Sequence, residues 1–373
     1  MSDETPPPDQ APGAPHPRET RQLFGQAEAE NAFLTAYNSE RLHHGWLLTG
    51  PRGVGKSTLA WRIARFLLAT PPAEEDGLFG APPQPETLDI DEDHPVSHRI
   101  LAGAEPGLAS VTRSENDRGR MRNEIVVEDI RKLGKFFRLS SADGGRRVVI
   151  VDSADEMNVS AANALLKMLE EPPARTTLLL VSHQPSRLLP TIRSRCRTLR
   201  LSPLGTEDMM TALAQTGAEP PSNPDHLAAL AAGSVGSAVR LINLSGLDIY
   251  AELIAILGTI PRMDRQRALA LAEAAAQRGA AERFELLLTL IDIALSRLAL
   301  TGATGAPPMP EAAPGEAEVL SRLSASPHMA RQWADTAALI TARTRHGQAV
   351  NLDPAALVLD TVFKIQETAG QST

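Results

Sequence analysis

The chain has 373 residues, 42% hydrophobic and 22% charged, enough for two or three domains with cores of their own and without the run of about 18 apolar residues that a membrane span requires. Its single cysteine, Cys196, excludes an intrachain disulfide framework and a zinc site built from several thiolates. With 37 Lys and Arg against 45 Asp and Glu, a net charge of -8 excludes a protein that grips nucleic acid by its overall field, so any such contact has to be local or shared.

Residues 1–18 are Pro-rich and polar and read as a disordered tail. The opening stretch has no basic n-region and no apolar h-region, so no secretory signal is expected and the chain is placed in the cytoplasm. From about Arg21 the pattern turns helical, with Leu23, Ala27, Phe33, Leu34 and Tyr37 on one side of a helix pair. Gly45 to Thr49 is a short apolar strand that enters a glycine-rich turn and a helix from Lys56 to about Leu68. Residues 70–122, which hold the run Arg113, Arg118, Arg120 and Arg122, read as an insertion, partly loop. A helix follows over 127–139, then an all-apolar strand from Arg147 to Val151 that ends at Asp152. A helix over 161–171 stops at Pro172 and Pro173, and further strands are expected at 177–182 and 198–201. Strands alternating with helices predict a parallel α/β sheet in a domain spanning 19–203. After Pro203 the strands cease. A small helical module, 204–246, precedes an all-helical part, 247–373, in which Phe284, Leu287, Leu288, Ile291, Leu295 and Leu298 form one stripe.

Gly50 to Ser57 (GPRGVGKS) fits the P-loop pattern after a strand and at the start of a helix. Gly50, Gly53 and Gly55 let backbone N–H groups approach phosphates, Lys56 reaches the terminal oxygens, and Ser57, followed by Thr58, is placed for magnesium. ATP or ADP with magnesium is the expected ligand. Asp152 at its strand end is the carboxylate that would order the metal. A hydrolysing site needs a base, commonly Glu directly after that Asp, and here the residue is Ser153. Asp155 and Glu156 read either as solvated helix-start charges or as a substitute base. His94 and His98, with Asp91 and Asp93, form a mixed metal set on paper, but no rigid element fixes them, and a polar loop without zinc is expected.

Asn163 to Pro173 (NALLKMLEEPP), Ser194-Arg195-Cys196 and His43 to Ser57 (HHGWLLTGPRGVGKS) together resemble the AAA+ subunits of bacterial sliding-clamp loaders. The resemblance spans about residues 20–245 and implies an AAA+ nucleotide-binding domain, a helical lid over 204–246 and a C-terminal collar for oligomerisation over 247–373. It implies that Arg195 reaches the γ-phosphate of a neighbouring subunit's ATP, where a planar, permanently charged donor suits the transition state. On the residues alone, Arg193, Arg195, Arg197 and Arg200 read as one solvated basic face, or Arg195 as a helix cap or partner of a local acid, in preference to a donated arginine. The resemblance also makes Ser182 the residue that senses the γ-phosphate, with His183 beside it. Gly236 stands where hydrolysing relatives have a second, arginine sensor, and Arg240 lies one turn later. The four cysteines that hold zinc in relatives are missing. What results is the profile of a stator, a subunit with weak or no hydrolysis of its own that donates Arg195 in trans. The implied partners are ATPase (tau/gamma) and delta subunits in a hetero-pentamer, the sliding clamp and primed DNA. The alternatives are an autonomous ATP-hydrolysing AAA+ subunit and a scaffold with an empty P-loop. For DNA, the Arg113–Arg122 run and the helix bearing Arg131, Lys132, Lys135 and Arg138 are candidates, or plain solvated surface.

Overall fold

A computed structural model describes residues 7–20, 22–39, 42–70, 84–139, 145–219, 221–277 and 279–370. The start of the expected tail (1–6), Arg21 and residues 71–83 of the expected insertion lie outside the described residues. Two compact units result, Met1–Gly217 with Gly233–Gly236, and Ala218–Ala232 with Ser237–Thr373.

The first unit is built on a five-stranded parallel sheet: β1 (Gly45–Thr49), β2 (Leu108–Val111), β3 (Arg147–Asp152), β4 (Thr176–Ser182) and β5 (Arg197–Arg200), in the order β2-β3-β4-β1-β5. Strands covered on both faces read as unbroken apolar runs, and every residue of β1 and β4 is buried. Leu47, Val149, Val151, Leu178 and Leu180 face a core formed with α4 (Val127–Leu139), α5 (Val159–Glu170) and the short α6 (Pro190–Arg193). The alternate residues are equally buried, and α2 (Lys56–Ala69) packs on β1, β3 and β4. The unit also holds α1 (Ala27–Asn38), α3 (Pro95–Leu101) and α7 (Thr206–Ala214). α5 starts because the Asn158 side chain accepts the N–H of Ala161, and the pair Pro172-Pro173 prevents its continuation.

Three expectations are corrected here. The segment 70–122 contributes α3 and the edge strand β2, which was hidden because an edge strand needs few apolar residues and only Val111 of β2 is fully buried. The helix pair is a single helix, α1. Leu23 precedes it and packs at the P-loop, where a Cβ on Gly55 would lie 2.5 Å from Leu23 Cδ1. Residues 7–18 are ordered: His16 is buried edge-on to Trp61 and pairs with Asp9 at 3.2 Å, while Arg65 donates to the Arg18 carbonyl at 2.7 Å. Composition misses such a segment because its burial depends on one imidazole–carboxyl contact and on one tryptophan of α2.

The second unit is helical: α8 (Pro224–Ala231), α9 (Val235–Asn243, of which all but Val235 and Gly236 belongs here), α10 (Gly246–Gly258), α11 (Arg265–Ala275), α12 (Ala281–Thr304), α13 (Glu316–Leu323), α14 (Pro327–Ala349) and α15 (Pro354–Gly370). α12 packs along α14, and α11 along α15. The expected stripe on α12 is buried except for Leu288, which is half-buried, and Leu286 and Leu290 widen it. By length and composition α12 suffices to cross a membrane. Half of its apolar stretch is instead buried within the unit, as in a core helix.

Candidate functional site

Parallel register brings the chemistry to one edge of the sheet. Thr49, which leads into the P-loop, lies opposite Ser182, and Asp152 lies opposite Val181, so the carboxyl ends of β1, β3 and β4 stand side by side. The P-loop is held close on two sides. Gly50 has φ +147°, and a Cβ there would meet the Leu201 carbonyl oxygen at 2.3 Å. At Gly53, with φ +73°, a Cβ would lie 2.3 Å from Ser234 Oγ. Gln26, before α1, donates to the carbonyls of Val54 (3.2 Å) and Ser202 (2.8 Å), tying the loop to the end of β5.

Lys56 and Ser57 open α2, with Thr58 half-buried in the same turn. Lys56 Nζ donates to the carbonyls of Gly50 (2.8 Å) and Pro51. Burial lowers its pKa to about 8, against the pull of Asp152 and Asp155. Ser57 Oγ donates to Asp152 Oδ2, and Ser153 Oγ to Asp152 Oδ1 at 3.1 Å. Burial pushes the Asp152 carboxyl up to about 6 despite these donors. At the head of β4, Ser182 Oγ is buried with no hydrogen-bond partner among the described residues. A buried ammonium, a buried carboxylate and an orphaned hydroxyl on glycine-rich backbone fit the phosphates and hydrated magnesium of a nucleotide.

A pair not anticipated in the sequence stands beside them. Ser153 Oγ is 2.8 Å from His183 Nε2, and His183 Nδ1 is buried without a partner among the described residues. Burial, reinforced by Lys56 and Arg52, lowers the imidazole pKa to about 4, so the ring is neutral near pH 7. Asp155 is a buried brace, accepting the N–H groups of His183 (2.9 Å) and Gln184 (3.1 Å), so it is neither a solvated helix-start charge nor an available base. Glu156 is likewise engaged. It accepts from Arg52 of the P-loop at 3.0 Å, and Arg113 Nε lies 3.0 Å from its other oxygen.

The Gly236 N–H donates to the Gly53 carbonyl at 3.3 Å, a main-chain contact at the position that the resemblance assigns to an arginine sensor. Arg240 donates to the Glu282 carbonyl at 3.2 Å and lies 3.8 Å from Glu285, within the helical unit. His94 Nδ1 caps α3 by accepting from Val96, and Asp91 accepts from the Asp93 N–H. Among the described residues no group of three or more His, Cys, Asp and Glu is arranged to hold a metal.

Arg195 belongs to the opposite edge. A Cβ on Gly45, the first residue of β1, would lie 3.1 Å from the Arg195 carbonyl and 3.3 Å from Cys196 Sγ. His44 Nε2 donates to the Leu169 carbonyl at 2.9 Å. Arg195 pairs with Glu170 at 2.9 Å and donates to the Thr191 carbonyl at 3.2 Å, its side chain 39% exposed. The segments HHGW, LEEPP and SRC, which are far apart in sequence, thus meet in space.

A P-loop after β1, its carboxylate two strands away at the end of β3 and a polar residue at the end of the central strand β4 between them, together with the helical unit, define an AAA+ protein. Residues 25–205 match the model of the family described as DNA polymerase III, delta subunit. It is 38% identical over 199 residues to the DNA polymerase III subunit delta' of Pseudomonas aeruginosa, covering 53% of this chain and 55% of that one. With the delta' subunit of Bacillus subtilis it shares 30% over 219 residues, 58% and 59% of the two chains. With the tau subunit of Escherichia coli it shares 28% over 290 residues, 75% and 41%. The chain spans somewhat over half the length of the delta' relatives it matches.

Proposed function

We propose that this protein is the delta-prime, or stator, subunit of a DNA polymerase III clamp loader in the bacterial cytoplasm. It joins ATPase (tau/gamma) and delta subunits in a hetero-pentamer that places the sliding clamp on primed DNA, and its own P-loop holds ATP or ADP with magnesium. Gly50, Gly53, Gly55, Lys56, Ser57 and Thr58 cradle the phosphates, Ser57 and Asp152 serve the metal, and Ser182 faces the terminal phosphate.

The observation that carries the stator role is the position of Arg195. It sits at the start of β1, and the P-loop follows the end of that five-residue strand, about 16 Å away at about 3.3 Å per residue. An arginine there has no reach to its own nucleotide and serves only a neighbour's. Its exposed pairing with Glu170 is worth about 0–1 kcal/mol and yields readily to a phosphate. In the reconstituted complex, Arg195→Ala leaves assembly intact and lowers DNA-stimulated ATPase at least tenfold. An unchanged rate rejects the trans role.

One observation favours a second reading, hydrolysis at the chain's own site. A neutral His183 hydrogen-bonded to Ser153 stands where a glutamate base is missing. Against it stand the engaged carboxylates of Asp155 and Glu156 and the glycine at position 236.

A further inference from the structure

α2 carries Ser57, Trp61 and Arg65 one turn apart on a single face, and the chain before α1 lies along that face. Arg65 donates to the Arg18 carbonyl at 2.7 Å, and the His16 ring stands edge-on to Trp61 with centroids 5.6 Å apart. Helical side chains lean toward the N-terminus of their helix, so the indole and the imidazole upon it extend toward the turn that bears Ser57. The segment therefore descends α2 toward the phosphate loop. His16 Nδ1 accepts the Arg18 N–H at 3.1 Å, which leaves the ring proton on Nε2, and Nε2 lies 3.2 Å from Asp9 Oδ2. Two turns, Gln10 N–H to the Pro7 carbonyl (2.9 Å) and Ala14 N–H to the Ala11 carbonyl (3.0 Å), keep Asp9 against the imidazole. The Gln10 side chain adds a bond to the Ala14 carbonyl at 2.7 Å.

The Asp9 side chain is only 6% exposed, and among the described residues the imidazole is the one group its carboxyl pairs with. A covered carboxylate is costly unless something nearby uses its charge. At that end of α2 stands Ser57, which donates to Asp152 Oδ2. Burial is the chief cause of the raised Asp152 pKa, and the charge of Asp9 adds to it, so the two carboxylates act on one another through the protein interior. The cation at hand, Lys56, is turned to the carbonyls of Gly50 and Pro51. Ser182 Oγ, buried and without a partner among the described residues, ends the strand beside Asp152. Two acids and an orphaned hydroxyl suit a hydrated divalent cation on Ser57 and Asp152. Magnesium keeps several of its waters, and those waters need acceptors of their own.

We infer that Asp9, held by His16 against α2, is an outer carboxylate of the magnesium site, accepting hydrogen bonds from water on the metal that Ser57 and Asp152 hold. The inference rests on the nucleotide reading of the P-loop, and the measurement separates the two. Binding of fluorescent methylanthraniloyl-ADP to the full chain is followed by anisotropy in EDTA and across a magnesium titration. Asp9→Asn leaves affinity in EDTA no weaker and raises the magnesium concentration at half-effect about tenfold, the usual loss when a partner of a metal's ligands is removed. His16→Phe keeps a ring on Trp61 but gives Asp9 no partner, and it shifts the magnesium midpoint in the same direction by about threefold. Glu19→Gln removes an exposed acid from the same segment and shifts nothing. A wild-type midpoint in Asp9→Asn, an equal shift in Glu19→Gln, or an equal loss with and without magnesium overturns the assignment while the nucleotide site stands. A wild-type chain that binds no nucleotide in either condition overturns the P-loop reading, and the role of Asp9 falls with it.

Discussion

Burial of Asp152 places a cost at the head of β3 that the donors around it only partly offset. Its pKa of about 6 lies above the ordinary value of 3.8, so the folded state resists ionisation. Stability therefore falls as pH rises from about 4 through 6, and the whole cost, about 2–3 kcal/mol, is present at pH 7.5. Asp152→Asn raises the melting temperature at pH 7.5 and gives little gain at pH 4.5, where the wild-type carboxyl is already protonated. A variant no more stable at either pH would mean that the carboxylate is better solvated than its surroundings suggest. The P-loop residues were legible because their spacing is local and their glycines are demanded by the turn. The Ser153–His183 contact was not. These residues are 30 apart in sequence and meet only because β3 and β4 lie in register, a pairing that no single segment encodes.

Among the elements, the connection from α12 to α13 is stapled by a buried acid and an arginine. Glu316, with no exposed surface, accepts from the Tyr250 hydroxyl (2.6 Å), the Ala312 N–H (2.5 Å) and Arg297 Nε (2.7 Å). Arg297 also donates to the carbonyls of Pro308 and Pro310. Burial and the neighbouring Glu316 carboxylate push the Tyr250 phenol well above its usual range, which keeps it a donor. Glu316→Ala strands a mostly buried guanidinium and costs about 3 kcal/mol, whereas Tyr250→Phe costs about 1.5 kcal/mol. Hydrogen-exchange mass spectrometry of peptides from 297–323 reads both, and equal protection in the alanine variant would refute the staple. Helical character here was readable from apolar periodicity. The staple was not, because Thr301 to Gly315 looks like a polar break and the acid that organises it comes after the break. The edge strand β2 escaped for a related reason: a strand with one neighbour is held by the ladder to β3 more than by its side chains.

For the molecule as a whole, an intact P-loop coexists with internal partners for its charged groups. Lys56 is held by loop carbonyls, Ser57 by Asp152, and Asp155 and Glu156 by main chain and arginines. ATP turnover by the purified chain is therefore expected at background and unchanged by Lys56→Ala. Turnover abolished by that substitution would establish a motor-type subunit instead. The amino-acid sequence by itself determined the layered α/β class, the phosphate-loop pattern and the family resemblance, since each is written in contiguous residues through apolar period, glycine spacing or motif. Only the tertiary structure decided which charges are engaged and which are offered outward. Arg113 and Arg195 each belong to an arginine run, and each is singled out by a partner, Glu156 and Glu170, brought in from a distant segment. Side-chain burial and pairing are properties of three-dimensional proximity, which the order of residues along the chain does not carry.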